Sequence, residues 1–297
     1  MLKVKNISKS YGSNLAVDNL SFTVKDGEIF GLLGANGAGK TTTFRIIMGL
    51  LEADNGTVTL DDKKIDYTVT DKIGFVTEER SLLTKMTVKD QIVYYGILKG
   101  MREEVVLERL DEWLKKFKIE EYKNRKIKEL SKGNQQKIQF ISAVINEPKL
   151  LILDEPFTGL DPINVEMFKQ AIYELQKKGC SIIFSSHQME HIEMFCEKLI
   201  ILVKGKVVLE GYLKDIKKEY RKKNIHIIGD IDIEKIKSID GVIKVEKLAN
   251  EYEVKIKDEE VVDSVFESIS KNKITKFVVE EPTLNEIFIS KVGEKYE

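Results

Sequence analysis

A glycine-rich stretch near the start of the chain has the residue types and spacing that bind phosphate. Residues 34–42 read GANGAGKTT, so Gly34, Gly39, Lys40 and Thr41 occupy the fixed positions of the pattern G-x-x-x-x-G-K-[ST]. The glycines let the backbone wrap around an anion with its N–H groups pointing inward. Lys40 adds a positive charge for the β- and γ-phosphates, and the Thr41 hydroxyl is a ligand for Mg²⁺. A glycine-rich turn with a solvated lysine is the alternative.

Two adjacent acids form a second candidate site. Residues 150–156 read LLILDEP, so Asp154 and Glu155 follow an apolar run that predicts a buried strand. Open α/β sheets bind ligands at the carboxyl ends of their strands. We expect Asp154 to hold Mg²⁺ through water and Glu155 to act as the general base toward an attacking water. Such a pair is often only a solvated strand end, but together with the phosphate loop it indicates a nucleoside triphosphatase.

A serine turn forms a third candidate, in the stretch LSKGNQQK at 130–137. Ser131 and Gly133 stand before a helical pattern over 135–146. The first N–H groups of a helix lack backbone partners and attract anions. An ordinary helix cap at Ser131 is the alternative, and nothing nearby in sequence supplies the anion.

The surrounding pattern predicts an α/β core. The first 60 residues alternate like twisted antiparallel strands, as at Leu20, Phe22 and Val24. Buried strands at 28–33, 150–153 and 181–186 then alternate with helices, the first of them over 40–51, which favours a parallel sheet. An all-helical insert is expected over about 87–146. The strand before the glycine loop and the helix after it are the context that a phosphate loop requires.

A smaller pattern follows in the C-terminal part of the chain. From residue 225 onward the order is βαββαβ, which is typical of a ferredoxin-like α+β domain, and Thr283 with Glu286 predicts a capping box on the last helix. We therefore predict an ATPase-type domain over 1–215, a basic linker over 216–224 and an accessory domain over 225–297. The basic stretch 213–224 is best interpreted as a solvated linker helix, with acidic lipid or RNA as alternative contacts.

Composition limits the classes of protein. The 297 residues carry a formal net charge of −1, so no overall field draws the chain to nucleic acid or anionic lipid. Two cysteines and no signal-like start predict a reducing cytoplasm. The apolar runs are too short for a bilayer span, which takes about 18 residues. Any membrane work is therefore expected from another chain.

Five motifs in order carry a family resemblance. The glycine loop, LSKGNQQ, LLILDEP, GLDP and SSH succeed one another as in the nucleotide-binding subunit of an ATP-binding cassette (ABC) transporter, which the chain resembles over about residues 1–215. The tail ending EPTLNEIF resembles the accessory domain on bacterial exporter-type cassettes, including sodium-efflux and drug- or peptide-resistance systems. The fold that this implies is a P-loop NTPase cassette with a mixed-sheet core, an antiparallel β subdomain and a helical subdomain.

The resemblance implies a shared site and several partners. In the family, the serine turn of one cassette caps the γ-phosphate held by another, so two cassettes sandwich two ATP molecules with Mg²⁺. A transmembrane permease subunit is the second implied partner, at the cytoplasmic side of the cell membrane, and no nucleic acid is expected. Export is favoured by the tail alone.

The resemblance also assigns residues. It implies that Tyr11 stacks on adenine, that Asp161 in GLDP links the two sites, and that His187 contacts the γ-phosphate and orients the water, with Glu155, His187 and Lys40 as the catalytic set. The nucleotide-binding set that it implies is Tyr11, Gly34, Ala35, Asn36, Gly37, Ala38, Gly39, Lys40, Thr41, Thr42, Glu78, Ser131, Gly133, Asn134 and Asp161. The metal set is Thr41, Asp154 and Glu78.

Three positions depart from the family pattern. Glu78 stands where glutamine is usual, and Lys132 and Asn134 stand where the common serine turn has glycine and glutamine. These changes bear on rate and coupling rather than on ATP binding.

Other functions remain alternatives. A soluble cassette protein of translation or DNA repair would carry long coiled coils or a second cassette, and an ATP-sensing regulator is also open. The string HQMEH, from His187 to His191, matches a zinc-peptidase motif. That motif needs both histidines on one helix, whereas His187 is predicted at a strand end.

Overall fold

The computed structural model describes residues 1–79, 81–220 and 223–293. The chain divides into two compact units, Met1–Glu210 and Gly211–Glu297. The strands are β1 (Leu2–Tyr11), β2 (Asn14–Val24), β3 (Ile29–Gly34), β4 (Asn55–Leu60), β5 (Lys63–Lys64), β6 (Ile73–Val76), β7 (Leu150–Asp154), β8 (Ser181–Ser185), β9 (Lys198–Val203), β10 (Lys206–Tyr212), β11 (Lys223–Gly229), β12 (Val242–Lys247), β13 (Tyr252–Ile256) and β14 (Ile274–Glu280). The helices are α1 (Lys40–Ile47), α2 (Tyr67–Thr70), α3 (Val88–Leu98), α4 (Glu103–Lys116), α5 (Lys132–Val144), α6 (Pro162–Lys177), α7 (Met189–Phe195), α8 (Leu213–Glu219), α9 (Ile233–Lys237), α10 (Val261–Ile269) and α11 (Leu284–Gly293).

The predicted antiparallel strands are confirmed. They form a four-stranded sheet in the order β2-β1-β4-β5, in which β1 pairs antiparallel with β2 and β4. Leu20, Phe22 and Val24 are buried, as alternation along one face requires.

The core is a six-stranded sheet in the order β10-β9-β3-β8-β7-β6, in which the five strands from β9 to β6 run parallel. Strand β3 runs parallel to β8 and β9, and β7 runs parallel to β6 and β8. The carboxyl ends of these strands therefore lie at one edge of the sheet. Register places Asp154 beside Ser185 there.

Helix α1 ends at Ile47, four residues before the predicted end at residue 51. Gly49 has φ +70° and follows the cap residue Met48, and Leu50 N donates to Arg45 O at 2.9 Å. Glycine in a left-handed conformation past a helix end closes the last carbonyls. The apolar residues after Met48 extend the helical pattern in sequence but not in structure.

The helical insert contains α3, α4 and α5. On α4, Val106 and Leu110 are fully buried on one face, and Phe117, which follows the helix, is buried as well. Helix α5 packs so closely on β6 that a Cβ at Gly74 would collide with Ala143 O. Among the described residues, no helix has the length and apolar character needed to span a membrane.

The second unit has the predicted βαββαβ order. Its sheet order is β12-β13-β11-β14, with β11 antiparallel to both β13 and β14. Buried Ile225, Ile227, Val254 and Ile256 form its core with Val265 of α10. The capping box is confirmed, since Thr283 N donates to Glu286 Oε2 at 3.0 Å and Glu286 N donates to Thr283 Oγ1 at 3.2 Å. Within the predicted linker 216–224, residues 216–219 belong to α8 and residues 223–224 to β11, while 221–222 lie outside the described residues.

Candidate functional site

The glycine loop connects the end of β3 to the start of α1. Gly39 has φ +105°, and a Cβ there would collide with Ala16 O. A Cβ at Gly34 would lie 2.6 Å from Leu202 O. Gly205 N donates to Ala38 O at 3.0 Å, which ties the loop to the β9–β10 turn. The loop thus has a fixed shape that only glycine permits at these two positions.

Lys40, the first residue of α1, folds back over this loop. Its Nζ donates to Gly34 O at 2.5 Å and to Ala35 O at 3.3 Å. Burial lowers the pKa of Lys40, and the charges of Asp154, Glu155 and Glu78 act against that shift. The structure therefore gathers the predicted lysine and three predicted acids around one loop.

Asp154 ends β7 beside this lysine. Burial raises the pKa of Asp154 to about 6, although the Lys40 charge opposes the rise. The neighbouring Ser185 hydroxyl is buried, and its hydrogen bond to the Asp154 carboxylate also opposes the rise in pKa. A half-buried carboxylate with a hydroxyl next to it is an oxygen-rich position that suits a cation.

Glu155 is held from two sides. It has φ +51°, a conformation that non-glycine residues seldom adopt, and it is 8% exposed. Its Oε1 accepts the His187 backbone N–H at 2.5 Å, and its Oε2 accepts the Ser186 hydroxyl at 3.1 Å. The His187 ring Nδ1 lies 2.9 Å from Oε2. Strained backbone with such partners is typical of functional sites.

The contact with Glu155 constrains the His187 ring. An ionised carboxylate only accepts hydrogen bonds, so a hydrogen bond in this contact requires the proton on Nδ1. The side chain is 67% exposed, and its Nε2 remains for other partners. Neutral imidazole presents an acceptor at Nε2, whereas imidazolium presents a donor that suits a phosphate oxygen.

The serine turn differs in detail from its prediction. Ser131 is the N-cap of α5, and its hydroxyl accepts Asn134 N–H at 3.3 Å. The helix begins at Lys132 rather than at residue 135, so Gly133 and Asn134 belong to its first turn. The helix begins earlier than predicted because of this cap. The serine hydroxyl accepts a hydrogen bond from a backbone N–H in the first turn, in residues whose types had predicted a turn.

The GLDP segment lies against the serine turn. Asp161 caps α6, and its Oδ1 accepts Asn164 N–H at 2.9 Å. The hydrogen bonds from Asn164 and the charge of Lys137 lower the pKa of Asp161, although desolvation acts against this shift. A Cβ at Gly133 would lie 3.6 Å from Asn164 Nδ2. Gln136 Nε2 also donates to Pro156 O at 3.2 Å, linking α5 to the segment after Glu155.

The candidate residues thus fall into two groups. Lys40, Asp154, Glu155, Glu78 and His187 share one edge of the sheet, whereas the serine turn belongs to a second group with Asp161. Within 1–79, 81–220 and 223–293, no hydrogen bond or ion pair joins the serine turn to Lys40 or Asp154.

The other nucleotide-binding candidates lie on or near the loop. Tyr11 is 47% exposed and lies at the turn between β1 and β2. Ala16 of β2 lies close to Gly39 of the loop. Thr41 is exposed on the first turn of α1, and Thr42 is half-buried. Ala35, Asn36 and Gly37 form the exposed part of the loop.

Several partners of these residues were not predicted from the sequence. Ser186 holds Glu155, Gln136 holds Pro156, and Gln139 holds Thr77. The SSH string could have predicted the contact of Ser186 with Glu155. Its serines come at the end of a strand that is parallel to the Asp-Glu strand, so they lie at the same edge of the sheet as the two acids. The glutamines carry no such signal, since a glutamine in a helix is usually solvated.

The donor set fits Mg²⁺ only together with phosphate. Thr41, Asp154 and Glu78 offer oxygen ligands, and Mg²⁺ commonly binds one or two carboxylates plus substrate phosphates. No group of three or more His, Cys, Asp or Glu among the described residues forms a metal site on its own. His191, the second histidine of the HQMEH string, packs its ring 4.9 Å from Phe157.

Fold and site together define the class of protein. The glycine loop lies between a parallel strand and a helix, and a strand that ends in Asp-Glu lies beside its lysine. This arrangement is typical of a P-loop nucleoside triphosphatase. Residues 17–158 match the family model described as ABC transporter, and residues 211–292 match the C-terminal domain of DrrA1-3-like ATP-binding proteins. The chain belongs to the ATP-binding proteins of ABC transporters, which are ATPases, and the predicted family and fold are confirmed.

Similar proteins extend over the whole chain. An uncharacterized ABC transporter ATP-binding protein of Bacillus subtilis, YhaQ, is 48% identical over 298 residues, which is 100% of both chains. The linearmycin resistance ATP-binding protein LnrL of the same organism is 34% identical over 73% of this chain and 70% of its own. A solved dimeric cassette in a post-hydrolysis state, bound to ADP and phosphate, has a TM-score of 0.66 at 30% identity and covers 72% of this chain and 99% of its own.

Proposed function

We propose that this chain is the ATP-hydrolysing motor of an exporter, which works as a dimer of cassettes around two molecules of ATP. The observation that carries the proposal is the separation of the two groups of residues. The serine turn begins a helix whose first N–H groups suit an anion, yet among the described residues no hydrogen bond or ion pair joins it to Lys40 of the phosphate loop. A second cassette, arranged head to tail, would supply the nucleotide.

Each residue group has a role in this proposal. The loop 34–42 with Lys40 binds the phosphates, Tyr11 contacts adenine, and Ser131, Gly133 and Asn134 reach the partner's nucleotide, with Asp161 at the interface. Thr41, Asp154 and Glu78 would hold Mg²⁺, which neutralises phosphate charge when bound. Glu155 takes the proton of the attacking water, and His187 keeps that carboxylate in place while its Nε2 faces the γ-phosphate.

The dimer would open and close with the state of the nucleotide. A ligand shifts such an equilibrium only through its different affinity for the two states. ATP contacts both cassettes only when they are closed, so binding favours closure. Cleavage of the γ-phosphate removes the contact with the serine turn and favours opening.

A second interface would receive the membrane subunit. Helix α3 exposes Tyr94, Ile97 and Leu98, which are 47%, 51% and 59% exposed. A cavity of about 930 Å³ lies beside its end and is lined by Leu50, which is 72% exposed, and by Lys99. Exposed apolar side chains along a groove favour a protein partner. We infer that an amphipathic helix of a transmembrane permease packs here, on the cytoplasmic side of the membrane.

Export is supported by the names of similar proteins. They include a linearmycin resistance protein, Nod factor export proteins that are 34% identical, and a lipopolysaccharide export protein that is 31% identical. The cargo would be selected by the permease.

The proposal is tested by Glu155→Gln. The variant retains an acceptor for His187 but not the base, so ATP should still bind while turnover falls at least about 100-fold. Light scattering of the variant with ATP should then detect a dimer that ADP does not support. Glu190→Gln, an exposed acid in α7, is the matched control and should hydrolyse ATP normally. Normal turnover by Glu155→Gln, or a monomer at every ATP concentration, would refute the proposal.

The permease interface needs a separate test. Ile97→Glu should prevent co-purification of the chain with a multi-span membrane protein, because it places a charge on the apolar face of α3. ATP hydrolysis by the isolated variant should be unchanged. Co-purification that survives the substitution would place the membrane contact elsewhere.

A further inference from the structure

A buried glutamine connects helix α5 to the loop that carries Glu78. Gln139 is 4% exposed, in the middle of α5. Its Nε2 donates to Thr77 O at 3.0 Å and to Thr77 Oγ1 at 2.8 Å. Thr77 directly follows β6 and directly precedes Glu78. A single amide of α5 therefore holds the residue before Glu78 through both its backbone and its side chain.

A further hydrogen bond connects Thr77 to Glu79, the residue that follows Glu78. The Thr77 hydroxyl donates to Glu79 O, so it accepts from Gln139 rather than donating to it. The resulting chain runs from Gln139 through Thr77 to Glu79. It fixes the carbonyl groups of Thr77 and Glu79 on either side of Glu78, which is itself exposed.

Stability alone does not explain this arrangement. Gln139 Oε1 is buried and has no hydrogen-bond partner among the described residues. Burial of an unpaired carbonyl lowers the stability of the folded protein by the free energy needed to remove that group from water. An apolar side chain of similar shape would hold α5 in place without this loss of stability. The amide is better explained by the position that it gives to the loop.

Helix α5 is also rigidly joined to β6. The absence of a side chain at Gly74 lets the strand approach Ala143 of the helix, where a Cβ would collide with its carbonyl oxygen. The other end of α5 begins at Ser131, the turn that faces the partner's nucleotide in the proposed dimer. A movement of α5 would thus reach Thr77 through both Gly74 and Gln139.

We infer that Gln139 is a positioning residue that sets Glu78 at the cassette's own Mg²⁺–ATP site and couples it to the serine turn at the start of α5. The inference rests on the proposed function, because both ends of the connection have their roles there. It assigns no contact between Gln139 and the nucleotide. Gln139 acts through the two carbonyl groups that hold the backbone of Glu78.

The test compares variants of the full chain in steady-state ATP hydrolysis. Gln139→Met keeps the length of the side chain but removes both hydrogen bonds, and Thr77→Val removes the hydroxyl that continues the chain. Each should lower kcat and raise the half-saturating Mg²⁺ concentration by about tenfold, as for other residues that orient metal ligands. The KM for ATP should change by less than about threefold, because the phosphate loop is untouched.

Three further variants separate positioning from simple stability. Thr77→Ser retains the hydroxyl and should preserve kcat within about twofold. The double variant Gln139→Met/Thr77→Val should be no slower than either single variant, since both break one chain. Gln91→Met is the matched control, because Gln91 is another buried glutamine that bonds Leu83 N at 2.7 Å, beyond Glu78, and Ser142 Oγ at 3.0 Å. It should lower the Tm about as much as Gln139→Met while leaving the Mg²⁺ requirement near that of the wild type.

The outcomes distinguish this inference from the proposed function. If Gln139→Met and Thr77→Val match Gln91→Met in kcat and Mg²⁺ requirement, Gln139 is only structural, even when Glu155→Gln is inactive. Additive losses in the double variant would also overturn the inference. If Gln139→Met does not fold, Thr77→Val and Thr77→Ser decide the question by themselves.

Discussion

His187 contacts Glu155 at two points, through its backbone N–H at 2.5 Å from Oε1 and through its ring Nδ1 at 2.9 Å from Oε2. Both carboxylate oxygens are thereby oriented. Oε2 also accepts the Ser186 hydroxyl, so Oε1 is the oxygen that retains a lone pair for a water molecule. The contact joins the end of β7 to the residues after β8. A shift of either strand end would move the acid and the histidine together.

His187→Ala should lower kcat about 100-fold, in the range of lost acid–base catalysis, with a KM for ATP near that of the wild type. The variant keeps the backbone N–H but loses the ring that lies 2.9 Å from Oε2 and that would face the nucleotide in the proposed function. Ser186→Ala removes only the hydroxyl at 3.1 Å from Oε2 and should cost much less. Steady-state ATP hydrolysis measures both. A larger defect in Ser186→Ala than in His187→Ala would contradict these roles.

Gly39→Ala should abolish ATP binding, because its Cβ would collide with Ala16 O while φ stays at +105°. Gly37 has φ +80°, but a Cβ at that position would meet no atom within 4 Å, so Gly37→Ala meets backbone strain alone. Such strain costs about 1 kcal/mol, or roughly a fivefold loss of affinity if the loop bears all of it. Fluorescent-nucleotide titration distinguishes the two variants. Equal losses would mean that the contact with Ala16 is unimportant.

Asp154→Asn should stabilise the nucleotide-free protein at pH 7.5 while it removes Mg²⁺-dependent hydrolysis. The pKa of Asp154 is raised to about 6 in the folded state from an unfolded value of 3.8. The folded state therefore binds more protons between these values, and its stability falls as pH rises through them. The difference amounts to about 3 kcal/mol above pH 6, and asparagine would remove it.

Chemical denaturation from pH 4 to pH 7.5 measures this effect. The wild type should lose stability relative to Asp154→Asn across that range, and the two should be most alike near pH 4. A variant that is less stable than the wild type at pH 7.5 would show that the ionised Asp154 is favourable where it lies.

The sequence was sufficient for the parts of the site that lie on regular elements. Gly34, Lys40 and Asp154 were located because a strand, a fixed glycine spacing and an apolar run ending in acids are all visible along the chain. The start of α5 was not, since the Ser131 cap extends the helix into a stretch with turn-like residues. The end of α1 was missed for the opposite reason, because Gly49 closes a helix whose apolar pattern continues.

Contacts between distant segments were the other limit. Gln139 and Thr77 are 62 residues apart, and neither residue type indicates the other. Their pairing depends on the packing of α5 against β6, which is set by Gly74. No local pattern contains that information.

Lys132 should strengthen ATP-dependent dimerisation through its charge. It is exposed at the first residue of α5, where a cation opposes the positive end of the helix dipole unless an anion is near. In the proposed dimer that anion is the partner's γ-phosphate. Lys132→Gln should therefore weaken the dimer formed by the Glu155→Gln variant with ATP about threefold or more at low salt, with a smaller effect in about 0.5 M salt, where charges are screened. Lys128→Gln, an exposed lysine four residues earlier, is the control, and an equal effect there would show only a change in net charge.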